Sequence, residues 1–153
     1  VVDGDDLIVR LRSERMRPFL AGTLLDQPEE LFGGFVADKD TLKRLAGEAP
    51  VATDDRPSIE RLAAKSGGGQ PFATLERVLD EGERAALPLR LRGDEGAAKL
   101  AAITRYRTAV VASLRGQIAQ DRGDYADARN FYQAGLAADD RFTVNRIQLE
   151  RLP

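Results

Sequence analysis

The sequence predicts a mainly helical chain with a small β portion at its start. Three observations carry this. An Asp3-Gly4 pair lies between Val1-Val2 and the aliphatic residues 7–11, which reads as a β-hairpin. From about residue 71 onward, apolar residues recur every three to four positions with no β-branched alternation. Hydrophobic residues make up 42% of the 153 residues but aromatics only 6%, with no Trp. Such an Ala-rich core favours helices, because Ala loses little side-chain entropy there.

The length suits one compact domain or two small units. Charged residues are 31% and nearly balanced, at a net charge of -2. That balance gives neither a nucleic-acid footprint nor a basic membrane-surface patch. The absence of Cys and His excludes disulfides, thiolate chemistry, the usual zinc sites and imidazole general bases. No apolar stretch approaches the roughly 20 residues that span a bilayer, so no direct membrane insertion is expected of this segment.

Taken in order, the hairpin comes first, with Asp3-Gly4-Asp5-Asp6 as its turn. Two strands alone are marginally stable, and no convincing strand is read downstream, so the hairpin implies a larger sheet upstream and a truncated or processed chain. Residues 13–25 are broken by Pro18 and Gly22 into short helical pieces. Pro28-Glu29-Glu30 opens a helix, since Pro suits the first turn and acids complement the dipole. Gly33-Gly34 ends or kinks it. Asp38 or Asp40 caps a short helix through Leu42 and Leu45, closed by Gly47. Further strand is expected, if anywhere, over residues 58–62. Residues 65–70, Lys-Ser-Gly-Gly-Gly-Gln, read as a flexible linker and lack the spacing of a phosphate-binding loop. The linker divides the chain into 1–64 and 71–153.

Beyond it, residues 72–86 place Phe72, Leu75, Val78 and Leu79 on one face, stopped by Leu87-Pro88. Residues 88–93 connect to a long helix over 94–122, with Leu100, Ile103, Tyr106, Val110, Leu114 and Ile118 apolar. Gly123-Asp124 breaks it. Asp124 is a suitable N-cap for a helix over 125–138, and Thr143 for a last short helix through Leu149 and Leu152.

The spacing of Gly116, Gly123, Tyr125, Ala128, Tyr132 and Leu136 resembles one tetratricopeptide repeat. The resemblance implies that Gly116 and Ala128 face each other between two antiparallel helices, with Tyr132 filling the groove beside them and Asp127 in solvent. Three positions depart from the pattern: Ala112 stands where a large aromatic is usual, Gly135 replaces Ala, and Asp140 stands where Pro is typical. A generic helical hairpin is the alternative.

A second resemblance rests on Gly47-Glu-Ala-Pro50, Thr53-Asp54-Asp55-Arg56-Pro57 and Ser58-Ile59-Glu60. Residues 1–62 are similar to the C-terminal end of the aminopropyltransferase-like domain of bacterial spermidine-synthase-like proteins, some of which are fused to a membrane transporter-like region. Ala52 stands where that family has Asn, and Arg61-Leu62 where Phe is common. The resemblance implies the end of a Rossmann-like α/β nucleotide-binding domain followed by a tetratricopeptide-like helical module. It also implies a cytoplasmic location, free or as the tail of a membrane-anchored parent. The parent reaction it implies is aminopropyl transfer from decarboxylated S-adenosylmethionine to a polyamine. The family's Gly-rich nucleotide loop, ribose-gripping acid and catalytic Asp lie upstream of such a tail, so this chain carries no catalytic or cofactor-binding residue by resemblance.

Thr53, Asp54, Asp55 and Arg56 have two readings. Paired carboxylates suit a polyamine in a partly desolvated groove. Equally, Thr53 or Asp54 caps a turn, Arg56 pairs with a carboxylate and Pro57 rigidifies the exit. Structural anchoring is the favoured reading. The expected function is a non-catalytic C-terminal segment whose helices pack against the remainder of a parent chain or a protein partner. The alternative is a free-standing helical adaptor that binds a protein. No nucleic-acid partner and no cofactor are expected.

Overall fold

A computed structural model describes residues 1–21, 23, 27–47, 70–84, 87 and 89–153. Among these residues the chain forms eight helices and two short strands, so the mainly helical class with a small β portion holds. The expected Gly-rich linker, the Thr53–Pro57 run and the expected strand at 58–62 lie outside the described residues, except that Gln70 already opens a helix. The structure divides into two compact units that do not follow the linear order of the chain: Val1–Val36 with Ala86–Pro153, and Ala37–Ala85.

In the first unit, β1 (Val2–Asp3) pairs in parallel with β2 (Leu89–Arg90), Val2 opposite Leu89 and Asp3 opposite Arg90. The expected hairpin does not form. Residues 7–11 belong instead to helix α1 (Gly4–Leu11). Two local features explain the difference. Asp3 is an N-cap whose carboxylate accepts from the Asp6 amide at 3.3 Å, so the Asp-rich stretch starts a helix rather than a turn. Gly4 does not have the positive φ that a tight hairpin turn requires. Its lack of a Cβ serves a close approach: a methyl there would stand 2.6 Å from Leu89 Cδ1. The strand partner of residues 2–3 thus lies near residue 89, in the stretch read as a plain connection. Arg92 adds a clamp, with its guanidinium 2.9 Å from Asp3 and its backbone amide donating to Asp5 at 3.2 Å.

Helix α2 (Arg17–Leu20) is the short piece expected around Pro18. Helix α3 (Pro28–Gly33) begins at Gln27, whose amide donates to Glu30 Oε2 at 3.3 Å. Helices α4 (Lys39–Ala46) and α5 (Gln70–Arg84) form the second unit. Asp38 caps α4 by accepting from the Thr41 amide at 2.6 Å. That bond, ahead of the Thr41 hydroxyl, holds the Asp38 carboxyl below its usual range. Leu79 is fully buried and Phe72, Leu75 and Val78 are half-buried, so the expected apolar face of α5 is used. Arg44 meets Glu81 at 3.2 Å between the two helices.

The first unit is organised by α6 (Gly93–Asp121), a helix of 29 residues. Val111, Ala112 and Ser113 are buried in succession, as are Ile118 and Ala119. Burial at consecutive positions places neighbours on more than one face of the helix. Helix α3 packs on it, with Gly33 against the Tyr106 ring. Arg107 stacks 5.7 Å over the Phe35 ring. Helices α7 (Tyr125–Ala138) and α8 (Val144–Arg151) complete the unit. No described helix is long and apolar enough to cross a membrane.

Candidate interaction site

Of the residues singled out by the repeat spacing, Gly123 and Tyr125 stand at the α6–α7 turn and Gly116, Ala128 and Tyr132 in the seam behind it, while Leu136 lies at the other end of α7. Gly123 takes φ +84°, which an L-residue with a side chain rarely adopts. With that bend, Gly123 N–H donates to Gln120 O and Asp124 N–H to Ala119 O, both at 2.9 Å. These two bonds satisfy carbonyls that the end of α6 would otherwise leave open. The chain then reverses into α7. Tyr125 stands at its start and is 45% exposed.

Along the seam, Ala128 and Tyr132 are fully buried and cluster with Ala119. Phe131, Leu149 and Leu152 pack against that cluster from its margin. Gly116 is buried against the Tyr132 ring, and a methyl there would stand 2.5 Å from Cε1. Tyr132 thus fills the seam as expected of it, with its ring directly against Gly116, and Ala128 clusters with Tyr132 and with Ala119, close to one turn further along α6. Tyr132 needs a glycine-sized gap opposite its ring, while Ala128 and Ala119 are both small. Leu136 is half-buried and Asp127 is exposed.

The Tyr132 hydroxyl donates to Gln120 Oε1 at 2.9 Å, so the buried ring keeps its polar end satisfied. Burial, with a smaller contribution from Asp121, raises its pKa above the usual 10.0. Tyr106 is raised likewise, first by burial and then by Glu30 and Asp139. It meets Phe142 edge-on, with ring centroids 5.4 Å apart. At the end of α7, Arg141 brackets the buried Asp139 carboxylate through both Nε and its terminal nitrogen. That bond is the main cause of a lowered Asp139 pKa.

Two expected caps are absent. Asp124 and Thr143 hold the N-cap positions of α7 and α8, yet neither side chain makes a cap bond. Thr143 has helical backbone angles (φ -63°, ψ -16°), not the extended conformation that aims a cap oxygen at the following amides.

One residue central to the packing was not singled out in the sequence. Asn145 is fully buried and its Nδ2 donates to Ala109 O at 3.1 Å, pinning α8 to α6. It also lies directly against Gly135, so the departure from Ala at position 135 has a steric cause. A signal was present: Asn145, Leu149 and Leu152 fall at i, i+4 and i+7, one stripe of a helix, with an amide at its first position.

The geometry supports close helix–helix packing. Its polar groups are a phenol bonded to an amide, a carboxylate bracketed by a guanidinium, and an amide bonded to a main-chain carbonyl. None pairs a nucleophile with a base. Among the described residues no His, Cys, Asp or Glu cluster is arranged to hold a metal ion. Thr53, Asp54, Asp55 and Arg56 lie outside the described residues. Comparison with protein-family models, with curated proteins and with solved structures finds no match.

Proposed function

We propose that this chain is a non-catalytic helical module that works by packing, with residues 112–140 forming one tetratricopeptide-like repeat. The observation that carries the reading is the interlock of α6 and α7: a glycine against a buried tyrosine ring, two alanines in the same seam, and a positive-φ glycine at the turn. Small residues at a seam permit close backbone approach, and stacked repeats bury a continuous core in this way. The surface so displayed packs against the remainder of a spermidine-synthase-like parent or against a protein partner. The parent assignment rests on the Gly47–Glu60 sequence resemblance. The parallel pairing of β1 and β2 supports α/β character in the first residues, since parallel strands need a crossover connection.

The test is direct. The chain is mixed with decarboxylated S-adenosylmethionine and putrescine, and product formation and nucleoside binding are measured. The proposal expects no turnover and no calorimetric signal, because among the described residues no set both activates a nucleophile and holds a nucleotide. Turnover, or micromolar binding of the nucleoside, overturns it.

A further inference from the structure

The near-zero charge balance of the chain conceals a local excess. Residues 10–17 contain four arginines (Arg10, Arg12, Arg15 and Arg17) and one acid, Glu14. In the first unit, Leu11, Arg12 and Arg17 of this run line a half-open recess of about 390 Å³, together with Leu20, Ala21 and Gln27 among the described residues. We propose that this recess is a binding site for a phosphate monoester, with Arg12 and Arg17 as its two anion-holding residues.

Among the described residues, no carboxylate pairs with the charges at the recess. Arg10 pairs with Asp6 at 2.9 Å and Arg92 with Asp3 at 2.9 Å, while Arg15, also without a salt bridge among the described residues, does not line the recess. The guanidiniums of Arg12 and Arg17 take no salt bridge or hydrogen bond among the described residues. Glu95 feels Arg12 only at a distance, and its carboxylate is already held by Lys99 at 2.7 Å. Both Arg12 and Arg17 are exposed, so a ligand reaches them without unfolding anything.

The chemistry of the lining selects the ligand class. Guanidinium stays charged at every physiological pH and presents a planar fork that matches phosphate oxygens. Two such forks at one recess match a phosphate monoester, which carries about -1.5 to -2 at pH 7, better than a single carboxylate. Leu11, Leu20 and Ala21 provide apolar wall for the carbon skeleton of the ester, and Gln27 a neutral hydrogen-bonding group. The monoester has two possible sources: a soluble metabolite, or the headgroup of phosphatidic acid at a bilayer. Phe19, next to Leu20 and 74% exposed, is available to the second.

The experiment has two arms. Glycerol 3-phosphate is titrated into the whole chain by calorimetry, with acetate as the singly charged comparison. Separately, the chain is sedimented with vesicles of phosphatidylcholine alone or mixed with phosphatidic acid. Each arm is repeated with Arg12→Gln, Arg17→Gln, the double variant and Arg15→Gln, all at exposed positions, with circular dichroism to verify folding. The expected result is binding in at least one phosphate arm, weakened about ten-fold by Arg12→Gln or Arg17→Gln, abolished in the double variant and unchanged by Arg15→Gln. Binding of glycerol 3-phosphate identifies the soluble source, and binding only to phosphatidic acid vesicles the lipid one. The proposal is overturned by no binding in either arm, by binding that survives the double variant, by equal loss in Arg15→Gln, or by acetate binding as tightly as the phosphate.

Discussion

Gly116 and Tyr132 meet face to face across the α6–α7 seam, with no room for a methyl between backbone and ring. The ring cannot swing aside, because Tyr132 is fully buried and its hydroxyl is held by Gln120. Gly116→Ala therefore sets two effects against each other. Helix propensity favours Ala by about 1 kcal/mol, and overpacking a filled site costs about 1–3 kcal/mol. The overpacking term wins at a site this closed, so the urea midpoint of Gly116→Ala should fall. A rise would show that the seam has slack.

Gly135 and Asn145 form the second tight contact, between α7 and α8. Gly135→Ala drives a methyl into the buried amide and should cost about 1–3 kcal/mol. Asn145→Ala removes the bond to Ala109 O and should cost about 0.5–1.5 kcal/mol, the net worth of one such bond. In the double variant the new methyl occupies space the amide has vacated. Chemical denaturation of all four chains should give a coupling of about 0.5–3 kcal/mol in the relieving direction. Strict additivity would mean that the two residues do not touch.

Asp139 links stability to pH. Its folded pKa lies below the ordinary 3.8, held there first by the Arg141 hydrogen bond. A carboxyl whose pKa is depressed on folding contributes stability above its unfolded pKa, and that contribution is lost as pH falls through the folded value. Melting temperature should therefore drop on acidification below about pH 4. Asp139→Asn should melt lower at neutral pH and show a shallower acid limb. A variant whose acid limb is as steep as that of the parent chain would remove Asp139 from the account.

Much of the fold was legible in the sequence because helix signals are local. The α6 and α7 periodicity, the Gly123 break, the Asp38 cap and the Pro28 start all depend on residues within one or two turns. The start of the chain is not legible for the opposite reason. Asp3-Gly4 satisfies a hairpin turn and an N-terminal cap equally well, and the choice depends on Leu89 and Leu91, distant in sequence, closing over Gly4. The burial of Asn145 is not legible in the sequence because a polar residue in a short helix reads as solvent-facing, and the partner of its Nδ2, the carbonyl of Ala109, lies 36 residues away. The arginine run at 10–17 disappeared into a balanced total charge, and the recess that uses it is a tertiary feature.

The most direct test of the interlocked hairpin is a pair of neighbouring substitutions. Ala128 is fully buried in the seam, and Asp127, one residue before it, is exposed. Ala128→Leu should overpack the contact with Ala119 and Tyr132 and cost about 1–3 kcal/mol. Asp127→Leu should stay within about 0.5 kcal/mol of the parent chain. Thermal melts of the two variants side by side should show a clear loss for the first and almost none for the second. Indistinguishable melts would contradict the repeat-like seam and, with it, the interaction-module reading.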